Sequence, residues 1–558
     1  MRIAPLLFCG WLCLQPNFLV AAQVLQLTAD TDRNGQLESA KDDQDEETWT
    51  NSHGAVVLVN CDDDDRDGNR DFEDEAINGA EDRLDLAPLL LESLADLPAD
   101  SRVTVSLQAP TEKAFLHVPE DQAFRCIPAG ESWEFAASEL GTEGIEFFVE
   151  AAAIADKEWD GSILVAAKLL DNTSAESGDE VRLRVAPLVA VPSIAPATHI
   201  FVREFPGRNE ALLTGLKSVA KESNSELVII PGGGPYADNH IWLQDAVEFF
   251  YSQTPRSRID VALPANRNQA VDMFASDRLL GPGFGFVRVG TYREKFALGE
   301  GGVSWIDWYG NLEVTPPVED HPWGRLLYGI DREHEAQLNP EVVATLAAQG
   351  LQEPLALDVG WLVIKHADEM LAFVPSSDPK IPFYVLVPDT TLALDLLANL
   401  QKSGKGDLPL FGTYEKDVTV DSLLAEAGFA ESNRKLQVER IDPMIDSLVA
   451  GLKLDPSQIV RLPALFNGGG LSRMPNMVNC LVANGHLAMA DPNGPLVDGE
   501  DAFQRDVRQR LAKLPVTIHF VDDQQYHRWS GNVHCATNAL RKPIADEWWN
   551  AAKPADDK

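Results

Sequence analysis

Three short stretches hold the side chains best suited to bond-breaking chemistry. They are Gly531 to Asn538 (Gly-Asn-Val-His-Cys-Ala-Thr-Asn), Trp242-Leu243-Gln244-Asp245, and His366-Ala367-Asp368-Glu369. Cys535 lies in a polar stretch just past the turn-like Trp529-Ser530-Gly531, a setting in which a thiolate can act as nucleophile. Taken singly, each stretch has a plainer reading. A lone cysteine is usually a small buried hydrophobe, and a His/Asp pair usually belongs to a solvated surface. Together they supply a thiol, an imidazole and two carboxylates. That set is the equipment for attack on a cationic guanidinium.

These residues need elements to aim them. The apolar run Trp361 to Ile364 predicts a strand over Trp361 to Lys365. His366 and Asp368, two residues apart at its end, then point to the same side. Trp242 beside Asp245 makes a cation pocket with an aromatic wall. Tyr309-Gly310-Asn311-Leu312-Glu313 precedes Val314-Thr315-Pro316-Pro317. Backbone carbonyls of that turn, with Glu313, can join Gln244 and Glu248 as all-oxygen ligands of calcium. The surrounding pattern is mixed α/β, with strands at Thr198 to Arg203, Glu226 to Ile230 and Phe383 to Val387, and helices at Arg208 to Lys221 and Thr391 to Gln401. A strand-rich cycle over roughly 350 residues is compatible with one repeating architecture. The glycine run Asn467 to Gly470 lacks a following Lys-Ser or Lys-Thr, so it reads as a turn and not a phosphate loop.

The N-terminal third is different. Ala55 to Val59, Arg102 to Leu107, Ala114 to Val118, Ile145 to Glu150, Ser162 to Leu169 and Glu180 to Val185 read as short strands, several alternating apolar with polar. That spacing predicts an antiparallel β-sandwich. Two acidic loops interrupt it. Asp30, Asp32 and Asn34 precede Gly35, and Asp63, Asp65 and Asp67 precede Gly68. Alternating oxygen side chains before a turn-forming glycine are calcium-loop chemistry. Position twelve of the first loop is Lys41, so it is not a complete EF-hand. Asn172-Thr173-Ser174 is a formal glycosylation triplet.

The chain has 558 residues, 45% of them hydrophobic, and a formal net charge of -41. The length suits about two to four domains. The charge argues against nucleic acid and anionic membranes as partners and favours cations and basic polypeptides. Residues 1–22 read as an export leader, with one arginine before an apolar run and Val20-Ala21-Ala22 for cleavage. The expected localisation is therefore secreted, extracellular or periplasmic. Four cysteines remain beyond the leader, too few for a disulfide framework, although Cys61 and Cys126 are free to be read as a pair.

In order and spacing these motifs resemble the protein-arginine deiminases. The likeness runs from about Asp30 to Asn550 and includes Arg184-Val185-Ala186-Pro187, Pro475-Asn476-Met477-Val478-Asn479 and Val533 to Asn538. It implies an immunoglobulin-like sandwich over 23–183 and a five-bladed α/β propeller over 184–558, without the additional N-terminal domain of longer members. It also implies calcium-dependent conversion of peptidyl-arginine to peptidyl-citrulline and ammonia through a covalent Cys535 intermediate. The substrates would be arginine-containing proteins or peptides, with Asp245 and Asp368 holding the guanidinium, Cys535 attacking it, His366 moving the protons, Trp242 walling the side chain and Arg267 gripping the peptide backbone. Some positions depart from the family pattern. Ala246, Ala262 and Leu263 replace oxygen ligands of one calcium site, of which Asn266 remains, while another keeps Gln244, Glu248, Tyr309, Leu312 and Glu313. Ala265 and Trp529 replace arginines near the cleft. Two other readings compete: a deiminase of free arginine or agmatine, and a secreted calcium-binding protein without catalysis.

Overall fold

In the computed structural model, residues 24–550 are described, apart from 75, 98–99, 122, 171–176, 237–239, 294–304, 413–414, 416 and 545–546. The leader and the Asn172 triplet lie outside the described residues. Among the described residues no helix is long and apolar enough to cross a membrane.

The N-terminal third folds as two five-stranded sheets. One runs, in spatial order, Leu25–Ala29, Ala87–Ser93, Ile145–Ala151, Ala114–Glu120, Ala123–Pro128, all antiparallel. The other runs Ala55–Val57, Ser177–Val185, Ser162–Leu170, Arg102–Gln108, Ser132–Ala136. Period-two alternation explains the layering. In Arg102–Gln108 the residues Val103, Val105 and Leu107 are buried, and the intervening positions are not. They meet Leu89, Leu116, Phe147 and Val149 of the opposite sheet in one core, which is the sandwich that alternation demands. Cys61 is a buried free thiol and does not pair with Cys126.

The rest of the chain repeats one unit. Its middle strand takes an antiparallel neighbour on one side and a parallel neighbour on the other. The middle strands are Ala197–Arg203, Arg258–Pro264, Leu326–Asp331, Phe383–Asp389 and His486–Ala490. A parallel neighbour requires a crossover, and each crossover here contains a helix, such as Glu210–Glu222, Pro340–Ala348 or Ala502–Leu511. One unit is assembled from both ends of the region: Ala197–Arg203 pairs in parallel with Glu226–Ile230 and antiparallel with Thr537–Arg541. The two parts of the molecule share an apolar core. Polar contacts also join them: Gln349 Nε2 donates to the Ala155 carbonyl at 2.8 Å and Gly283 N to Asp62 Oδ2 at 2.7 Å.

One expected element is absent. Trp361 to Lys365 is not a strand. The strand is Leu355–Asp358, and the chain then turns. Gly360 N donates to Asp358 Oδ1 at 3.2 Å, and a Cβ on Gly360 would stand 2.5 Å from Asp331 Oδ1. Lys365 has φ 66° and buries its ammonium against Asp331 Oδ2 at 2.6 Å. An apolar run thus closes a turn around a buried ion pair, with Trp361 packed edge-on to Phe466.

Candidate active site

The repeated unit explains how the site is assembled. The residue or residues just ahead of each unit's outer antiparallel strand lie at one centre. Asp245 precedes Val247–Gln253, Gly310 precedes Leu312–Val314, Asp368 precedes Ala372–Pro375, Asn479 precedes Leu481–Ala483 and Cys535 precedes Thr537–Arg541. Backbone bonds tie these loops together: Gln244 N donates to Cys535 O, and Tyr309 N to Asp245 O, each at 3.4 Å.

Cys535, His366, Asp245 and Asp368 are all buried and converge. The Cys535 thiol donates to Asp368 Oδ2 at 3.3 Å. The same oxygen lies 2.9 Å from His534 Nδ1. Asp368 Oδ1 is buried without a hydrogen-bond partner. His366 Nε2 is 2.7 Å from the Trp305 carbonyl, which can only accept, so Nε2 carries a proton. That leaves Nδ1, itself unpartnered and 3.5 Å from Asp245 Oδ1, as the nitrogen that exchanges protons. His366 and Asp368 face one pocket, as expected, but from the short 3-10 turn Ala367–Glu369 and not from a strand.

Gly310 makes the floor. A Cβ there would lie 2.5 Å from His366 Nδ1, 2.7 Å from Asp245 Oδ1 and 3.2 Å from Asp368 Oδ2. The space bounded by an imidazole and two carboxylates therefore exists because residue 310 has no side chain. Asn479 holds the nucleophile, donating from Nδ2 to Cys535 Sγ at 3.2 Å while Oδ1 accepts from Cys535 N at 3.2 Å. Gly310 and Asn479 stood within motifs in the sequence, yet nothing local gave them a role. A cavity of about 120 Å³, lined by Glu369, Asn467, Asn479, Arg528, Gly531 and Cys535, leads to the thiol. The glycine run at Asn467 is the expected turn, on the wall of that cavity.

Electrostatics keep the nucleophile protonated. Burial pushes the Cys535 thiol well above its ordinary range, and Asp368 and Asp245 push the same way. Burial also raises Asp245, to about 6, with Asp368 adding to the rise and His366 and Arg267 opposing it. Two acids facing one thiol disfavour a third negative charge.

The substrate residues divide. Trp242 packs edge-on against Tyr526 with ring centroids 5.4 Å apart, and Gly531 lies so close that a Cβ would stand 2.3 Å from the Trp242 ring. Arg267 is buried, not at the rim. Its Nε donates to Asp272 Oδ1 at 2.7 Å, its Nη1 lies 3.9 Å from Asp245 Oδ2, and its guanidinium stacks over Trp308 at 5.0 Å.

Gln244, Glu248 and Glu313 line a second cavity, of about 40 Å³, with His534 and Arg541. Gln244 Nε2 donates to Glu248 Oε2 at 2.9 Å, and Glu313 Oε1 is buried with no hydrogen-bond partner. Burial raises both acids, Glu248 to about 8 and Glu313 to about 7, and Glu313 also raises Glu248. His534 answers them: burial pulls it down, but Glu313, Asp368 and Glu248 outweigh that and hold it at about 9. An unpartnered carboxylate oxygen beside a second raised acid fits a hard divalent cation, with the Tyr309 and Leu312 turn alongside.

The acidic loops fold alike. Asn34 N and Gly35 N donate to the Asp30 carboxylate at 2.9 Å each, and Asp67 N and Gly68 N to the Asp63 carboxylate at 3.0 Å each. Gly35 and Gly68 take φ 84° and 95°, a turn that glycine permits. The clustered carboxylates differ in part from expectation. Asp30 and Asp32 gather with Asp42, and Asp63 and Asp65 with Asp71. Asn34 instead turns its side chain to Asp32 and Glu38, and Asp67 accepts from Asn69. A third group, Asp62, Asp64 and Asp85, has one buried oxygen on each residue without a hydrogen-bond partner. These sets suit an oxygen-liganded cation.

Comparison with known proteins agrees with this geometry. The family profile described as Protein-arginine deiminase (PAD) matches residues 175–550, and that of its middle domain matches 24–171. The chain is 31% identical to protein-arginine deiminase type-4 of Rattus norvegicus, over 94% of this chain and 82% of that protein. It is 31% identical to type-1 of Mus musculus, over 96% and 83%. An agmatine deiminase structure from C. jejuni aligns at 13% identity with a TM-score of 0.38, covering 64% of this chain and 97% of that one, a likeness too remote to carry an argument. The chain belongs to the protein-arginine deiminase family.

Proposed function

We propose that this protein hydrolyses peptidyl-arginine to peptidyl-citrulline and ammonia. The observation that carries this reading is the convergence of Cys535, His366, Asp245 and Asp368 around the side-chain-free Gly310. An arginine guanidinium entering that slot donates to the two carboxylates and takes the place of the thiol proton on Asp368. Its positive charge offsets the repulsion that holds the thiol neutral. The thiol proton passes to neutral His366 as the sulfur bonds to the guanidinium carbon, and the tetrahedral adduct then breaks its C–N bond. Protonated His366 gives the leaving nitrogen its proton, and ammonia departs. Neutral His366 next takes a proton from water, whose oxygen attacks the thiouronium-type carbon. The C–S bond breaks, leaving citrulline and a regenerated Cys535.

Calcium is the cation we assign to Gln244, Glu248 and Glu313 and to the Asp30 and Asp63 loops, on their hard oxygen donors. When bound it supplies positive charge beside the loops that carry Asp245 and Gly310. Arg267 grips the peptide backbone only after leaving Asp272. We assign the sandwich to the immunoglobulin-like class, with the boundary near residue 184. The five repeated units, closed by Thr537–Arg541 on Ala197–Arg203, support a five-bladed propeller. Export follows from the leader-like residues 1–22.

The test is citrulline and ammonia formation from a blocked arginine peptide and from free arginine, with calcium and with a chelator, beside Cys535→Ala. Calcium-dependent product from the peptide alone, absent in the variant, is expected. Turnover confined to free arginine or agmatine would replace this reading with the small-guanidine one.

A further inference from the structure

Away from the active centre, two imidazoles and a carboxylate point at one another. His486 begins the strand His486–Ala490, and His519 is the middle residue of Thr517–Val521. These strands pair in parallel with His486 opposite Thr517 and Ala488 opposite His519. Both histidines therefore lie on one face of the sheet, since side chains two apart share a face. It is the face that carries Ala488, Ala490 and Val521 into the core beneath helix Glu210–Glu222. The last residue of that helix, Glu222, reaches over the histidine pair.

The atoms are spaced as ligands. His486 Nδ1 lies 2.9 Å from His519 Nε2, and Glu222 Oε2 lies 4.0 Å from the same Nε2. Two imidazole nitrogens at ordinary zinc distances on a tetrahedral ion stand about 3.3 Å apart. The pair is therefore close to that edge length, and half-exposed Glu222 needs only a small rotation to close the third. Glu222 is already oriented: its Oε1 accepts from Ser218 Oγ at 3.0 Å, which leaves Oε2 toward the histidines. A helix C-terminus adds negative potential at the same place.

We propose that Glu222, His486 and His519 form a binding site for a divalent transition-metal ion of the zinc class, distinct from the oxygen-liganded cation sites. Two imidazoles select zinc, nickel or copper over calcium, and three protein ligands leave one position for water. The site staples the end of helix Glu210–Glu222 to two strands of a neighbouring unit. The core beneath it also holds Val533 and Ala536 on either side of the nucleophile. Its role is structural, stiffening the support of Cys535 without touching the reacting atoms.

The experiment uses the full chain in saturating calcium, with Cys535 alkylated so that its sulfur cannot bind the probe. Zinc ion alone is titrated by calorimetry, and metal content is measured after desalting. One tight equivalent is expected. It should be lost in His486→Ala and in His519→Ala, and weakened about tenfold in Glu222→Gln, whose half-exposed position makes misfolding an unlikely confounder. Copper(II) bound to unalkylated Cys535→Ala protein should show hyperfine splitting from two nitrogens. Deimination by His486→Ala without zinc should match wild type, while the zinc-induced rise in Tm disappears. Equal zinc stoichiometry in wild type and all three variants, or no zinc uptake at all, overturns the proposal and leaves a plain imidazole–imidazole hydrogen bond.

Discussion

Asn479 grips Cys535 at both ends: its amide nitrogen donates to the sulfur at 3.2 Å and its amide oxygen accepts from the cysteine's own backbone N–H at 3.2 Å. A positioning role follows, because the side chain is held between Cys535 and the Asp368 carbonyl and fixes the sulfur's direction. Asn479→Asp keeps the shape and the acceptor but replaces the donor with a negative charge. It should lower kcat by about a hundredfold with KM nearly unchanged, the signature of an interaction needed in the reacting state. It should also shift the alkylation profile of Cys535 to higher pH. Unchanged kcat with a raised KM would assign Asn479 to substrate binding.

The thiol titrates high because it is buried and faces Asp368 and Asp245. In free protein its alkylation by iodoacetamide should climb steadily with pH through the alkaline range. A bound guanidinium should move that climb to lower pH by cancelling the carboxylate charge. Asp368→Asn should do the same without ligand, while abolishing turnover. Identical profiles with and without ligand would dismiss substrate-assisted ionisation.

Gly310→Ala adds one methyl where His366, Asp245 and Asp368 leave no room for it. Loss of deimination by a factor of about a thousand is expected, since misplacing reacting groups by about an ångström costs about a hundredfold and the slot is also filled. Circular dichroism should stay close to wild type, with the Tm lowered by the crowding. A control, Gly404→Ala, sits at φ 78° with nothing within 4 Å of its Cβ; it should cost modest stability and no activity.

Asp62, Asp64 and Asp85 are raised chiefly by burial, to about 6, 7 and 8, and mutual repulsion adds to it. Between pH 4 and the raised values, the cation-free fold holds protons that the unfolded chain has released. Its stability therefore falls as pH rises through that window. A bound cation substitutes for those protons, so the calcium-induced gain in Tm should be larger at pH 8 than at pH 5.5. Asp85→Asn should raise the Tm in chelator and shrink the calcium gain, read by scanning calorimetry at both pH values.

Local rules carried much of the architecture. Alternation placed Arg102–Gln108 and its neighbours in a sandwich, and apolar spacing gave Glu210–Glu222 and Thr390–Lys402 nearly to the residue. They failed at Trp361 to Lys365, where hydrophobicity matched a strand but Gly360 and the buried Lys365–Asp331 pair force a turn. The four side chains that the fold brings together, Cys535, His366, Asp245 and Asp368, were legible because each has chemistry of its own. Gly310 and Asn479 were not, since a missing side chain and an amide acquire meaning only from what the fold brings to them. The same holds for Asp42, Asp71 and Asp85, which complete clusters begun by residues several to more than twenty positions earlier.

The closing strand Thr537–Arg541 begins two residues after Cys535 and pairs with Ala197–Arg203, the earliest middle strand of the repeated units. During synthesis that early strand waits, one edge open, until more than three hundred further residues have been made. The nucleophile arrives with the segment that fills this edge. Filling this edge and placing Cys535 are therefore one event, and a chain interrupted just before residue 535 holds Asp245 and Asp368 but not the sulfur they face. The Cys535 sulfur thus joins the growing polypeptide only when the strands that bury it and the carboxylates that face it are already made.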